Sequence, residues 1–210
     1  AFYTDILEKQ YNDWLKRKYQ TQSALKQAWT KGSVPLGENM LKNSTFAEAI
    51  PNDNSWYLEQ HADCRAALEV KSYQDKSGLS VNPTKIDAVG WHLQYNQTQL
   101  ILKKDEIYTI EFDAAAPDAR PLTISVGQAH EPWRILGFSQ TLALTPEWKT
   151  YRMSFSASDN DTNARLNFSF GNNAKPFYLA NITFCPGAEY TLNNDESLDN
   201  QTIALFGDVE

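Results

Sequence analysis

From about Glu38 to Phe184 the chain alternates with period two. The segments WYLEQ, RAALEV, GLSV, GWHLQYN, IYTIEFDA, LTISVGQA, TLAL, WKTYRMSFSA, ARLNFSF and FYLANITF are short and rich in β-branched and aromatic residues, which suit a pleated, half-buried surface. Turn formers separate them, among them DNS, DKSG, APDARP, SDNDTN and GNNAKP. Ten such segments predict a mainly β protein, an antiparallel β-sandwich or barrel. No gap between them has room for the repeated helical crossover that a parallel sheet needs.

The flanks read differently. Residues from about Phe2 to Lys31 are helical in pattern, with Leu7, Tyr11, Trp14 and Leu15 at spacings of three and four. A second short helical pattern puts Leu25, Ala28 and Trp29 on one face behind a Ser23 N-cap. Gly32 and Pro35 end it. The last stretch is polar and acidic (NNDESLDNQT) and reads as a connector. The expected division is a helical segment over 1–37, a β-sandwich over 38–186 and an acidic tail over 187–210. Because the chain starts at Ala1 without Met, it is expected to be a piece of something longer.

With 41% hydrophobic and 12% aromatic residues the chain can build a real core. Its formal charge of −7 lacks the clustered Lys and Arg of a nucleic-acid footprint, and it disfavours an anionic membrane surface. No nucleic-acid or membrane partner is expected. A neutral polymer imposes no such charge requirement. The two cysteines, Cys64 and Cys185, are too few for a disulfide framework. One bridge or two free thiols would satisfy the sequence, and nothing in it brings the two segments together.

Strand alternation assigns faces. Leu122, Ile124 and Val126 point to the core and Thr123, Ser125 and Gly127 away from it. Leu166, Phe168 and Phe170 go inward, opposite Arg165, Asn167 and Ser169. Leu93 and Tyr95 go inward, opposite His92, Gln94 and Asn96. The outward set is amide, hydroxyl and one guanidinium, where an ordinary solvent face carries Lys and Glu. Trp133 stands in the polar turn AHEPWRIL, where a large ring is suited to a partner. Trp91 shares parity with Leu93 but starts its strand, so its ring can leave the core at the rim. Trp56 and Trp148 are assigned to the core as strand-start residues. Together Trp91, Gln94, Trp133 and Arg165 form a surface that can stack on pyranose rings and hydrogen-bond their hydroxyls.

Chemistry finds less support. His61, His92 and His130 have no ligand spacing, so no metal is expected. Acid pairs such as Asp105–Glu106, Asp159–Asp161 and Asp195–Glu196 fall in turns or tails, and a glycosidase needs two carboxylates across one cleft. No phosphate loop, nucleophile elbow or zinc-hydrolase motif occurs, so no catalytic residue is assigned. Six N-x-S/T sequons occur, at Asn43, Asn96, Asn160, Asn167, Asn181 and Asn200. Glycans on Asn96 or Asn167 would obstruct the polar face.

The order and spacing of LKNSTF, Trp56, GWHLQYNQTQLILKKDEIYTIEFDA, LTISVGQAHEPW, LTPEWKTYRMSFSA, NARLNFSFG and FYLANITF resemble a carbohydrate-binding module of the family 4, 9 and 22 superfamily, over about 145 of the 210 residues. The resemblance implies a β-jelly-roll sandwich that holds one glycan chain in a cleft across its concave sheet. It assigns stacking to the positions of Trp91 and Trp133 and hydrogen bonding to Gln94, Arg165 and Ser169. The face argument adds Gln128 and Asn167, with Glu59 as a rim acceptor. Relatives often hold a structural calcium with two acidic residues whose positions here are Ala47 and Ala180, so no cofactor is expected. The disulfide of some relatives has no counterpart.

YNDWLKRKYQTQSALKQAW and the tail PGAEYTLNNDESLDNQTIALF carry a second resemblance, to border segments of clan A β/α-barrel glycoside hydrolases. It implies a binding module inserted in a barrel enzyme, with the helix of Trp14 and Trp29 packed on the sandwich or a neighbouring chain. The expected function is non-catalytic binding of a β-linked plant-type polysaccharide, β-1,4-glucan or xylan, targeting a covalently linked hydrolase. The expected setting is secreted or extracellular, at a bacterial cell surface or in the periplasm. The alternatives are a jelly-roll hydrolase acting on β-glucan and a spacer domain without ligand.

Overall fold

The computed structural model describes residues 2–21, 24–25, 28, 33–47 and 55–189. They fall into two compact units, Leu36–Gly187 and a smaller one made of the two chain ends. In the smaller unit, α1 spans Phe2–Tyr19. It stops where Gln20 turns left-handed (φ 61°), with the Gln20 N–H still bonded to the Lys16 carbonyl at 3.0 Å. Lys16, Arg17 and Lys18 sit in its last turn, where cations face the unpaired carbonyls. The Lys18 ammonium also lies 4.5 Å from the Trp14 ring centre. Residues 24, 25 and 28 of the second helical pattern are helical; Ser23 and Trp29 lie outside the described residues. Val34 and Ala188 pair through two backbone hydrogen bonds of 2.9 Å.

The larger unit is a sandwich of two five-stranded antiparallel sheets. Its strands are β1 (Tyr57–Gln60), β2 (Arg65–Tyr73), β3 (Lys76–Lys85), β4 (Leu93–Leu102) and β5 (Ile107–Ala115). The second half adds β6 (Arg120–Gln128), β7 (Ile135–Leu144), β8 (Lys149–Ser156), β9 (Asp161–Ser169) and β10 (Phe177–Pro186). Each of the ten alternating segments is a strand, the main difference being that TLAL begins six residues earlier, at Ile135. One sheet runs β1-β4-β9-β6-β7 and the other β2-β3-β10-β5-β8.

The core lies between the sheets, as alternation requires. Leu93, Tyr95, Ile124, Val126, Leu166 and Phe168 enter it from the first sheet, and Leu79, Val81, Ile110, Phe112, Leu179 and Phe184 from the second; all are buried. Phe112 and Phe168 meet edge to face across the gap, with ring centres 5.3 Å apart. Trp56 is core as expected. It stacks on Tyr95 at 5.0 Å, and its indole N–H donates to the Lys42 carbonyl at 3.1 Å.

Trp148 is not in the core. It shares strand parity with Thr150, whose hydroxyl bonds Asp113 on the far face of the second sheet, while Tyr151 and Met153 take the core side. Its ring lies half-buried on that far face, edge-on to Tyr73 and Tyr178, and its N–H donates to the Tyr73 carbonyl. Ala180 lies opposite Asp113 in the same ladder. The Asp113 carboxylate accepts from Lys76, Thr150 and Asn181. Both cysteines are free and buried.

At one end of the first sheet a single 3-10 turn, Gly90–His92, precedes β4. Gly171 holds it: the Gly171 N–H donates to the Gly90 carbonyl at 2.7 Å, and the Gly171 carbonyl accepts from Asp87 at 3.2 Å. A Cβ at Gly171 would lie 2.7 Å from both Leu93 N and Val89 O and 2.9 Å from Gly90 O. All three are backbone atoms, so the turn would have to move. Gly171→Ala is therefore expected to destabilise the fold by about 1–3 kcal/mol, read as a lowered midpoint in thermal unfolding. An unchanged midpoint would mean the turn yields freely.

Candidate carbohydrate-binding cleft

The outer face of the first sheet is built in rows. Strand pairing aligns Glu59, Gln94, Ser169, Thr123 and Thr141 in one row and Tyr57, Asn96, Asn167, Ser125 and Ser139 in the next. Arg165 lies opposite Gly127 in a third. Over these rows is a cleft of about 610 Å³, a size common for ligand sites.

Glu59 organises the floor. One carboxylate oxygen accepts from Asn96 Nδ2 at 2.9 Å and Arg165 Nη1 at 3.1 Å, and the other from Gln94 Nε2 at 3.0 Å. His61 Nε2 lies 3.2 Å from that second oxygen. Glu59 was expected at the rim; the structure puts it at the centre of the network. Its charge is matched by Arg165, so the floor is close to neutral. Asn96 is 0% and Asn167 4% exposed. The amide oxygens of both have no donor among the described residues, although the Asn167 Nδ2 donates to the Ser169 hydroxyl at 3.0 Å. A buried acceptor left open is costly unless a ligand or water supplies a donor.

Two indoles flank the floor, each 54% exposed. Trp91 rides on the 3-10 turn and so escapes the parity it would share with Leu93. Its ring lies edge-on to His61 at 5.2 Å and to His92 at 4.3 Å. Trp133 follows β6 in a turn closed by its own N–H to the His130 carbonyl at 2.8 Å. Its φ is +61°, a left-handed conformation that costs a bulky residue roughly 1–2 kcal/mol. The Arg165 guanidinium lies 5.3 Å from the Trp133 ring centre. Between the Ser169 and Arg165 positions the polar floor runs four residues of strand, roughly 14 Å.

Seven of the eight sequence-assigned residues line the cleft or join its network: Glu59, Trp91, Gln94, Trp133, Arg165, Asn167 and Ser169. Gln128 does not. It shares parity with core-facing Val126, and its side-chain oxygen accepts the Arg134 N–H at 3.1 Å, which secures the Trp133 turn. The structure adds His61, Ser125 and Ile135 to the lining, with Asn96 beneath them. Tyr57, two residues from Glu59 on the same face and 59% exposed, offers a further ring. Ser125 and Asn96 were legible as outward positions. His61 and Ile135 carried no signal of their own, because strand ends brought them in.

Arranged in this way, the cleft can desolvate the apolar faces of a ring and satisfy hydroxyls beneath it. Among its described lining residues Glu59 is the one carboxylate, so a two-carboxylate hydrolytic pair is missing from that lining.

Residues 38–175 match the family model described as a carbohydrate binding domain, that of the family 4 and 9 modules. A solved structure titled "CBM4 structure and function" is 28% identical, with a TM-score of 0.60 over 70% of this chain and 99% of its own. The second N-terminal cellulose-binding domain of Cellulomonas fimi β-1,4-glucanase C is 20% identical, with a TM-score of 0.54 over 74% and 99%. The CBM22-1 xylan-binding domain of Paenibacillus barcinonensis Xyn10C is 12% identical, with a TM-score of 0.51 over 75% and 100%. A search of curated proteins found no match. The family model spans more than half of the sequence and coincides with the sandwich that carries the cleft, and the chain belongs to the family 4 and 9 carbohydrate-binding modules.

Proposed function

We propose that the cleft on the first sheet binds a neutral β-linked polysaccharide, a β-1,4-glucan or a xylan, and that it does so without cleaving it. The observation that carries this reading is one cleft in which two exposed indoles, Trp91 and Trp133, flank a polar floor lined by Gln94, Arg165, Asn167 and Ser169. Sugar hydroxyls suit the amides, hydroxyl and guanidinium of such a floor, and pyranose faces are the apolar surface such rings cover. The paired charges of Glu59 and Arg165 favour an uncharged ligand over a uronate polymer. The roughly 14 Å floor suits a chain better than a single sugar.

In this reading the module works by proximity. Held on the polymer, it raises the effective substrate concentration for a catalytic domain joined to the same chain. The barrel-like patterns in the flanks support a glycoside hydrolase in that role, acting outside the cell. No helix among the described residues is long and apolar enough to cross a membrane.

Isothermal titration with cello- and xylo-oligosaccharides tests the site. Stacking on an exposed aromatic contributes roughly 1–3 kcal/mol in comparable systems, so Trp133→Ala and Trp91→Ala should each weaken binding about fivefold or more. Trp148→Ala, on the other sheet, should leave affinity unchanged. Equal affinity in wild type and Trp133→Ala would remove that ring from the site. The purified chain is also expected to release no reducing sugar from either polymer; release that depends on Glu59 would establish the hydrolase instead.

A further inference from the structure

Two connections meet beside the Trp91 turn: the β1–β2 loop brings the Cys64 thiol to the Asp87 carboxylate and the His92 imidazole, which stand five residues apart ahead of β4. Cys64, Asp87 and His92 each offer one ligand atom, and the three atoms lie within 4.8 Å of one another. We propose that they form a site for a thiophilic divalent cation, of which Zn²⁺ is the best match. The site is independent of the polysaccharide reading.

The backbone sets the ligands in place. The His61 N–H donates to the His92 carbonyl at 2.9 Å, which extends the β1–β4 pairing by one residue. Cys64 closes the turn that follows, its N–H bonded to the His61 carbonyl at 3.1 Å. Asp87 is tied to Gly171 through its N–H. One of its carboxylate oxygens accepts the Val89 N–H at 2.7 Å, which leaves the other facing His92 Nδ1 at 2.5 Å. An outer hydrogen bond of this kind orients a ligating carboxylate.

Tetrahedral Zn²⁺ with metal–sulfur and metal–nitrogen or –oxygen bonds of roughly 2.3 and 2.0 Å places its ligand atoms roughly 3.3–3.6 Å apart. The present spacing therefore needs the Asp87–His92 pair to open, and a ligand pair at the 4.8 Å limit to close, by about 1 Å each. A cavity of about 380 Å³, lined by Cys64, Asp87, Asp63 and Lys85 among others, gives entry from solvent. It leaves room for water as the fourth ligand. The Asp63 carboxylate, paired with Lys85 at 3.2 Å on the surface, is a second source.

The donor set selects the ion. A thiolate with an imidazole suits Zn²⁺, and calcium or magnesium would demand oxygen ligands throughout. On binding, the Cys64 thiol gives its proton to solvent, and His92 ligates through Nδ1 as the neutral imidazole with its proton on Nε2. The same three residue types could suggest a nucleophilic triad, but here burial, followed by the neighbouring Asp87 carboxylate, pushes the Cys64 thiol up and keeps it protonated. An activated cysteine needs the imidazole beside the sulfur. A loaded metal would also fix the His92 ring against which Trp91 packs at 4.3 Å, stiffening the platform.

The test is titration of the metal-free chain with Co²⁺ under reducing conditions, read by its thiolate-to-cobalt charge-transfer and visible ligand-field absorption, then displacement by Zn²⁺. One equivalent should bind. The charge-transfer band should vanish in Cys64→Ser and persist in Cys185→Ser, and affinity should fall at least tenfold in Asp87→Asn and His92→Gln. If Cys64→Ser fails to fold, the Asp87 and His92 variants, which lie nearer the surface, decide the matter through the Zn²⁺-induced rise in unfolding midpoint. That rise is expected in wild type and lost in both. No charge-transfer band in the wild type, a band unchanged in Cys64→Ser, or a band lost in Cys185→Ser would each overturn the proposal.

Discussion

The Glu59 carboxylate is the contact on which the binding face depends. It is a charge at the edge of a sheet, 3.1 Å from Arg165 and accepting from both Gln94 and Asn96. Alone, each of those amides would have several rotamers to choose from, and a sugar would have to freeze them. Bonded to Glu59, their donors are committed and their orientation is set before any ligand arrives. Preorganisation of this kind reduces the entropy lost on binding. The same carboxylate holds Arg165 where its guanidinium meets Trp133, so the floor and one wall are parts of a single network.

The two sheets divide the work. Between them the aromatic core fixes the strands, and their register fixes which residues share a row. The second sheet covers its far face with Tyr73, Trp148 and Tyr178 and pairs Asp113 with Lys76. The first turns a polar face of amides and hydroxyls toward the cleft and places indoles at either end. Where the backbone is strained or crowded, at Trp133 with φ +61° and at Gly171 against the Gly90 turn, it supports one of those indoles.

Much of this was legible in the sequence because period two is a strong signal and a strand has only two faces. Gln94, Asn96, Asn167 and Ser169 were placed by alternation alone. The failures have physical causes. Gln128 shares parity with Val126 and sits at a strand end, where its amide serves the following turn. Trp148 shares parity with Thr150, which puts it on the far face despite its size. Trp91 escapes alternation because a 3-10 turn intervenes. In the Cys64, Asp87 and His92 cluster, Asp87 and His92 stand five residues apart, but Cys64 joins them only because the β1–β4 register sets His61 against His92. Pairings across distant loops are invisible to any pattern read along the chain.

The central claim is that sugar hydroxyls meet the amide rows of the first sheet. Side-chain amide and indole resonances followed by nuclear magnetic resonance during titration with cellohexaose or xylohexaose test it directly. The account predicts that the NH₂ groups of Gln94, Asn96 and Asn167 and the indoles of Trp91 and Trp133 shift together, while the Trp148 indole stays still. Shifts confined to Trp148 and the second sheet, with the Asn96 and Asn167 amides unmoved at saturation, would contradict it.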